Sequence, residues 1–138
     1  MDKNFEIDSE WQECRSSQEE LFSFLSQLQN LEKVLPKDKI EKFECIEEGK
    51  CRFEISGLIP LVLYIKEKNK AIPYIEYASE PFNDYYLILK AQFHQNKSKI
   101  ILSGYLNKFI LSMASKKLKA LVERINQELS LLKINQDA

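Results

Sequence analysis

From Lys108 to Lys133 the chain contains neither glycine nor proline, and its apolar residues fall at Ile110, Ala114, Leu118, Leu121, Val122, Ile125, Leu129 and Leu132. Steps of three and four dominate, the spacing of one face of an α-helix. A helix this long and one-sided must lay its stripe on another apolar surface. The preceding stretch, residues 40–106, has a period near two and supplies that surface as a sheet. If the sheet is curved, the space between it and the helix can hold a ligand.

The segment before the sheet alternates, with Phe5, Ile7, Ser9 and Trp11 against Glu6, Asp8, Glu10 and Gln12, as in a half-buried strand. Ser17 and Glu20 fit a capping box. Leu21, Phe22, Phe24, Leu25 and Leu28 follow as the apolar face of a short helix. Leu31, Val34 and Leu35 add one further helical turn before Pro36. Ile40–Ile46 and Cys51–Ile55 flank Glu47-Glu48-Gly49-Lys50, a hairpin turn in which Gly49 supplies positive φ. Gly57 and Pro60 punctuate the next connection, Leu61–Ile65 reads as a strand apolar on both faces, and Lys66–Lys70 as a turn. Ile72–Glu80 forms a strand, Pro81-Phe82-Asn83-Asp84 a turn, and Tyr85–Phe93 the cleanest alternation in the chain. Asn96-Lys97 is a hairpin tip, Ile100–Leu106 the last strand, and Asn107 the cap of the long helix. The order is β-α-α-β-β-β-β-β-β-α, an α+β fold with a curved seven-stranded antiparallel sheet gripping the C-terminal helix. Short connections between successive strands require antiparallel neighbours.

At 138 residues the chain is expected to form one domain, 1–138. Its net charge of −1 argues against a general nucleic-acid binder. Charge is unevenly placed: residues 1–69 carry a balance of −5 and residues 70–138 one of +4. The first residues, MDKNFEIDSEW, show no apolar core of a secretory signal. Leu58–Ile65 is too short for a bilayer, which needs about 20 apolar residues. Three cysteines without a CxxC spacing suit a reducing, cytoplasmic compartment.

The element order, with Ser17–Pro36 (SQEELFSFLSQLQNLEKVLP) after an alternating strand and Asn107–Leu129 at the end, resembles the START-like (SRPBCC) superfamily. The resemblance covers residues 3–134. The first segment is similar to one common in the smaller bacterial members. The resemblance implies a helix-grip fold with a hydrophobic cavity between sheet and helix. Members bind lipids, sterols, polyketides or hormones, and a minority are cyclases, hydroxylase subunits or chaperone activators. It carries no catalytic residue onto this sequence.

Within that frame the expected binding residues are Tyr64, Tyr74, Tyr77, Tyr85, Leu87, Phe109 and Met113, with Phe93 beside them. Tyrosine offers apolar area and one orienting hydroxyl. The same side chains would equally fill a solid core. His94, the only histidine, falls outside the barrel by parity and has no partner that would make it a base. One His and three scattered Cys give no metal spacing, so neither metal nor cofactor is expected. Cys45 and Cys51 flank a turn and read as reduced small hydrophobes, with a disulfide as the alternative if the register sets them opposite; Cys14, beside Arg15, lacks the partners of a nucleophile. No paired acids or Gly-rich phosphate loop appear. Lys116, Lys117 and Lys119 form a basic cluster that reads as a solvated helix face, since contact with an anionic lipid surface, the alternative, normally needs a denser basic run. The expected function is non-catalytic binding or transport of a small apolar ligand. A cyclase-type enzyme using the same cavity, and an interaction module with a filled core, are the alternatives.

Overall fold

The computed structural model describes residues 2–55, 59–80 and 85–134. The strands are β1 (Phe5–Asp8), β2 (Gln12–Glu13), β3 (Ile40–Glu47), β4 (Lys50–Ile55), β5 (Ile59–Asn69), β6 (Tyr74–Ser79), β7 (Tyr86–His94) and β8 (Lys97–Tyr105). The helices are α1 (Gln18–Leu25) and α2 (Lys108–Leu131), with a 3-10 helix over Leu28–Lys33. The strands form one antiparallel sheet in the order β1-β8-β7-β6-β5-β4-β3, and the short β2 also pairs with β8.

Local chemistry sets the element ends. Ser17 caps α1: its hydroxyl accepts from the Glu20 amide at 3.2 Å, and its own amide donates to the Glu20 carboxylate at 2.8 Å. Asn107 caps α2 by accepting from the Ile110 amide at 2.9 Å. Gly49 turns β3 into β4 at φ 81°, where a side chain would be strained. Gly104 has a different task. A Cβ there would run into the Tyr86 carbonyl, so the glycine permits the close approach of β8 to β7.

Three local expectations are corrected. Lys66–Lys70 is not a turn: β5 continues through Asn69, pairing Lys68 with Ile75 and Asn69 with Tyr74 after an irregularity near Ile65–Glu67. The first strand is broken at buried Ser9: its amide still donates to the Ile100 carbonyl at 2.9 Å, but the Ile100 amide donates to the Ser9 hydroxyl, at 2.9 Å, and not to its carbonyl. The second helical segment is 3-10 rather than α. The turn at Pro81–Asp84 and the break at Gly57 lie outside the described residues.

The inner face of the sheet carries Cys51, Phe53, Ile55, Ile59, Leu61, Leu63, Ile75, Tyr77, Leu87, Leu89, Ala91, Phe93, Ile100 and Leu102, all buried. α2 packs on β8, β1 and β2 through Ala114, Leu118, Leu121, Val122, Ile125 and Leu129. Its C-terminal half is also fixed by polar contacts. Ser98 donates to Asn126 Oδ1 at 2.6 Å, and Asn126 Nδ2 donates to the Glu10 carbonyl at 2.9 Å. The Ser16 hydroxyl donates to the Leu132 carbonyl at 2.8 Å and accepts from the Ile134 amide at 3.1 Å. These bonds satisfy polar groups that would be costly to bury unpaired. In the N-terminal half of α2, Ala114 and Leu118 are buried and Ile110 and Leu111 pack partly against the core.

Candidate functional site

Strand parity decides which expected binding residues reach the interior. Tyr77, Tyr85 and Leu87 point inward and are buried. Both phenols are engaged, Tyr77 donating to the Leu25 carbonyl at 2.7 Å and Tyr85 to the Pro60 carbonyl. Tyr64 stands opposite Ala78, one residue out of phase with buried Leu63, and so lies on the outer face. Tyr74 also lies outside: its hydroxyl donates to Glu67, and the Lys90 ammonium sits 4.4 Å from its ring centre. Phe109 and Met113 are 75% and 48% exposed. The structure therefore brings three of the seven expected residues together, puts two on the outer sheet face and turns two away from the core.

The space between sheet and helix is walled by Leu35, Phe53, Ile55, Leu61, Leu63, Leu87, Leu89, Leu102, Leu121 and Ile125. Leu87 alone of these belonged to the expected set. The alternation of β4, β5 and β7 held the signal for the strand residues, and the helical stripe held it for Leu121 and Ile125. None of these described wall residues is polar or ionisable. The void is about 20 Å³, far below the roughly 300 Å³ of an ordinary small-molecule site.

Leu35 also borders a second, solvent-open space. This cleft of about 740 Å³ lies between the 3-10 segment and α2 and is lined by Glu32, Lys33, Leu35, Pro36, Lys37, Asp38, Arg124 and Glu128. Arg124 spans it, donating from Nη2 to Asp38 Oδ1 at 3.1 Å and from Nη1 to Oδ2 at 3.3 Å. This forked contact holds the Asp38 carboxyl below its ordinary pKa. Leu35 is thus the shared wall between an apolar interior and a charged cleft.

The remaining titratable candidates sit apart. His94 is exposed, with its ring edge-on to Trp11 at 6.3 Å between centroids. All three cysteines are free. Burial, followed by the neighbouring Cys45, pushes the Cys51 thiol up to about 12. Burial also raises Cys14, whose thiol donates to the Ser98 hydroxyl at 3.2 Å. No cluster of three metal-ligating side chains is found among the described residues. No described helix is long and apolar enough to cross a membrane.

A curved antiparallel sheet closed by one long C-terminal helix matches solved structures over nearly its whole length. TTHA0849 from Thermus thermophilus superposes with a TM-score of 0.63 at 14% identity, covering 91% of this chain and 94% of that one. This chain has the helix-grip fold. The ZhuI aromatase/cyclase from Streptomyces sp. R1128 gives a TM-score of 0.57 at 14% identity, over 90% of this chain and 87% of its own. Ara h 8.0201 gives 0.54 at 13%, over 91% and 97%. These neighbours carry the fold of the START-like resemblance seen in the sequence. No family model matches the chain, and no curated protein does.

Proposed function

We propose that this protein binds a small apolar molecule between the sheet and α2 without transforming it. The observation that carries this reading is the chemistry of the interior wall, which among the described residues is ten Leu, Ile and Phe side chains with no polar or ionisable one. Such a wall gains free energy from apolar area and offers no general acid, base or nucleophile. The buried phenols do not change this, since the hydroxyls of Tyr77 and Tyr85 are taken by backbone carbonyls. Two fold neighbours, ZhuI and BexL, are aromatase/cyclases. A cyclase would need a free proton donor facing its substrate, and the described residues that wall the void supply none.

The void as it stands, about 20 Å³, is too small for such a ligand. Leu35 borders both this void and the charged cleft, so this reading puts the opening there, by movement of Leu35 and the segment behind it away from α2. Native mass spectrometry of the purified protein, followed by titration with fluorescent fatty acids and aromatic probes, tests the reading. Leu63→Phe adds bulk to the wall and should reduce uptake at least about tenfold in a folded protein, while overpacking costs about 1–3 kcal/mol of stability. If the wild type carries and takes up nothing, binding in the interior is refuted. The small void would then favour the second reading, a filled core whose surfaces meet another macromolecule.

A further inference from the structure

We infer that the N-terminal half of α2 is a docking face for an anionic lipid surface. Phe109 and Met113, one turn apart, stand on the exposed side of the helix. Lys116 and Lys117 follow Met113 at the next turn on the same side, and Lys108 and Lys119 flank the ridge. All four lysines are exposed, and none forms an ion pair among the described residues. From Lys108 to Val122 the helix has no acidic residue. Its first turn is basic, against the helix dipole, which favours acids there. Stability of an isolated globule would select none of these features. Two large apolar side chains in water and unneutralised charge at a positive helix end both work against it.

Together the two features answer a single surface. Apolar side chains reach the boundary between headgroups and acyl chains, while lysine stems lie along it and hold their ammonium groups at the phosphate level. Neither signal suffices alone: four lysines attract an anionic surface only weakly, and two apolar side chains add the second attachment that such binding needs. The charge selects an anionic bilayer over a neutral one. It also disfavours a second copy of the same face, which would bring like charges together. Ala114 and Leu118 hold the inner side of this half of α2 against the sheet and leave the side bearing Phe109 and Met113 in solvent.

Co-sedimentation with vesicles tests the inference. The two vesicle types are pure phosphatidylcholine and phosphatidylcholine with about one-third phosphatidylserine. No small apolar molecule is added, so the result does not depend on what the interior takes. The wild type should pellet with the anionic vesicles and not the neutral ones, and high salt should weaken binding. Phe109→Ser with Met113→Ser, and separately Lys116→Glu with Lys117→Glu, should each weaken it at least about tenfold. Unfolding midpoints should stay at the wild-type value, since these side chains are exposed. No wild-type binding to anionic vesicles, or retention by both double variants, overturns the inference. A concentration-dependent dimer in sedimentation velocity that the Phe109→Ser, Met113→Ser variant abolishes without affecting vesicle binding overturns it too.

Discussion

The phenol of Tyr77 lies beneath α1 and donates to the carbonyl of Leu25, the last residue of that helix. Burial raises its pKa, so it stays protonated and unavailable for proton transfer near neutrality. Tyr77→Phe would leave that carbonyl buried without its donor and should cost about 1–3 kcal/mol in urea unfolding; an unchanged midpoint would show that the bond contributes nothing net. The cysteines are separated by the same physics. Cys45 is exposed, Cys51 is buried, and Cys14 is half-buried against Ser98. Thiols with raised pKa values remain protonated, and the thiolate is the reactive form. The native protein at mildly alkaline pH should therefore show one fast-reacting thiol, and the denatured protein three. A second fast thiol would show that Cys14 or Cys51 is more accessible than its burial implies.

At the scale of elements, α2 carries the argument. Leu121 and Ile125 are buried at 3% and 2% against the sheet. Truncating either to Ala should cost roughly 2–5 kcal/mol, whereas Met113→Ala should stay within about 0.5 kcal/mol. If Leu121→Ala and Ile125→Ala leave the urea midpoint unchanged, α2 is not the lid. The helix was readable because a long one-faced stripe has one physical solution. Phe109 and Met113 were misplaced although that stripe already ran through Ile110 and Ala114; residues one position earlier lie about 100° round the helix. Tyr64 and Tyr74 failed likewise through parity, their aromatic character having outweighed the alternation of their strands. The far end of β5 was hidden for a different reason. Beyond Ile65 its residues are mostly exposed, so its KEKN run had no period to show. The break at Ser9 was invisible because the alternation continues through it.

Over the whole molecule, the contact that spans the cleft joins residues 86 positions apart, Asp38 and Arg124, and no local pattern could have announced it. The contact lies where the proposed path would open, between the segment bearing Leu35 and the middle of α2. An exposed ion pair is screened by water and contributes little, so the pair would tune opening and not forbid it. Arg124→Ala should speed stopped-flow uptake of an apolar probe by up to about fivefold, with stability nearly unchanged. The pH dependence follows from Asp38. Its pKa is lowered in the folded protein, so the pair's contribution is fully present above the ordinary carboxylate value, roughly 3.9, and is lost as pH falls through the depressed value. Uptake by the wild type should therefore be flat from about pH 5 to 8 and quicken only in stronger acid, while Arg124→Ala should lack that acid step. A wild-type rate that Arg124→Ala leaves unaltered would place the opening elsewhere on the molecule, even if the interior itself proves to be occupied.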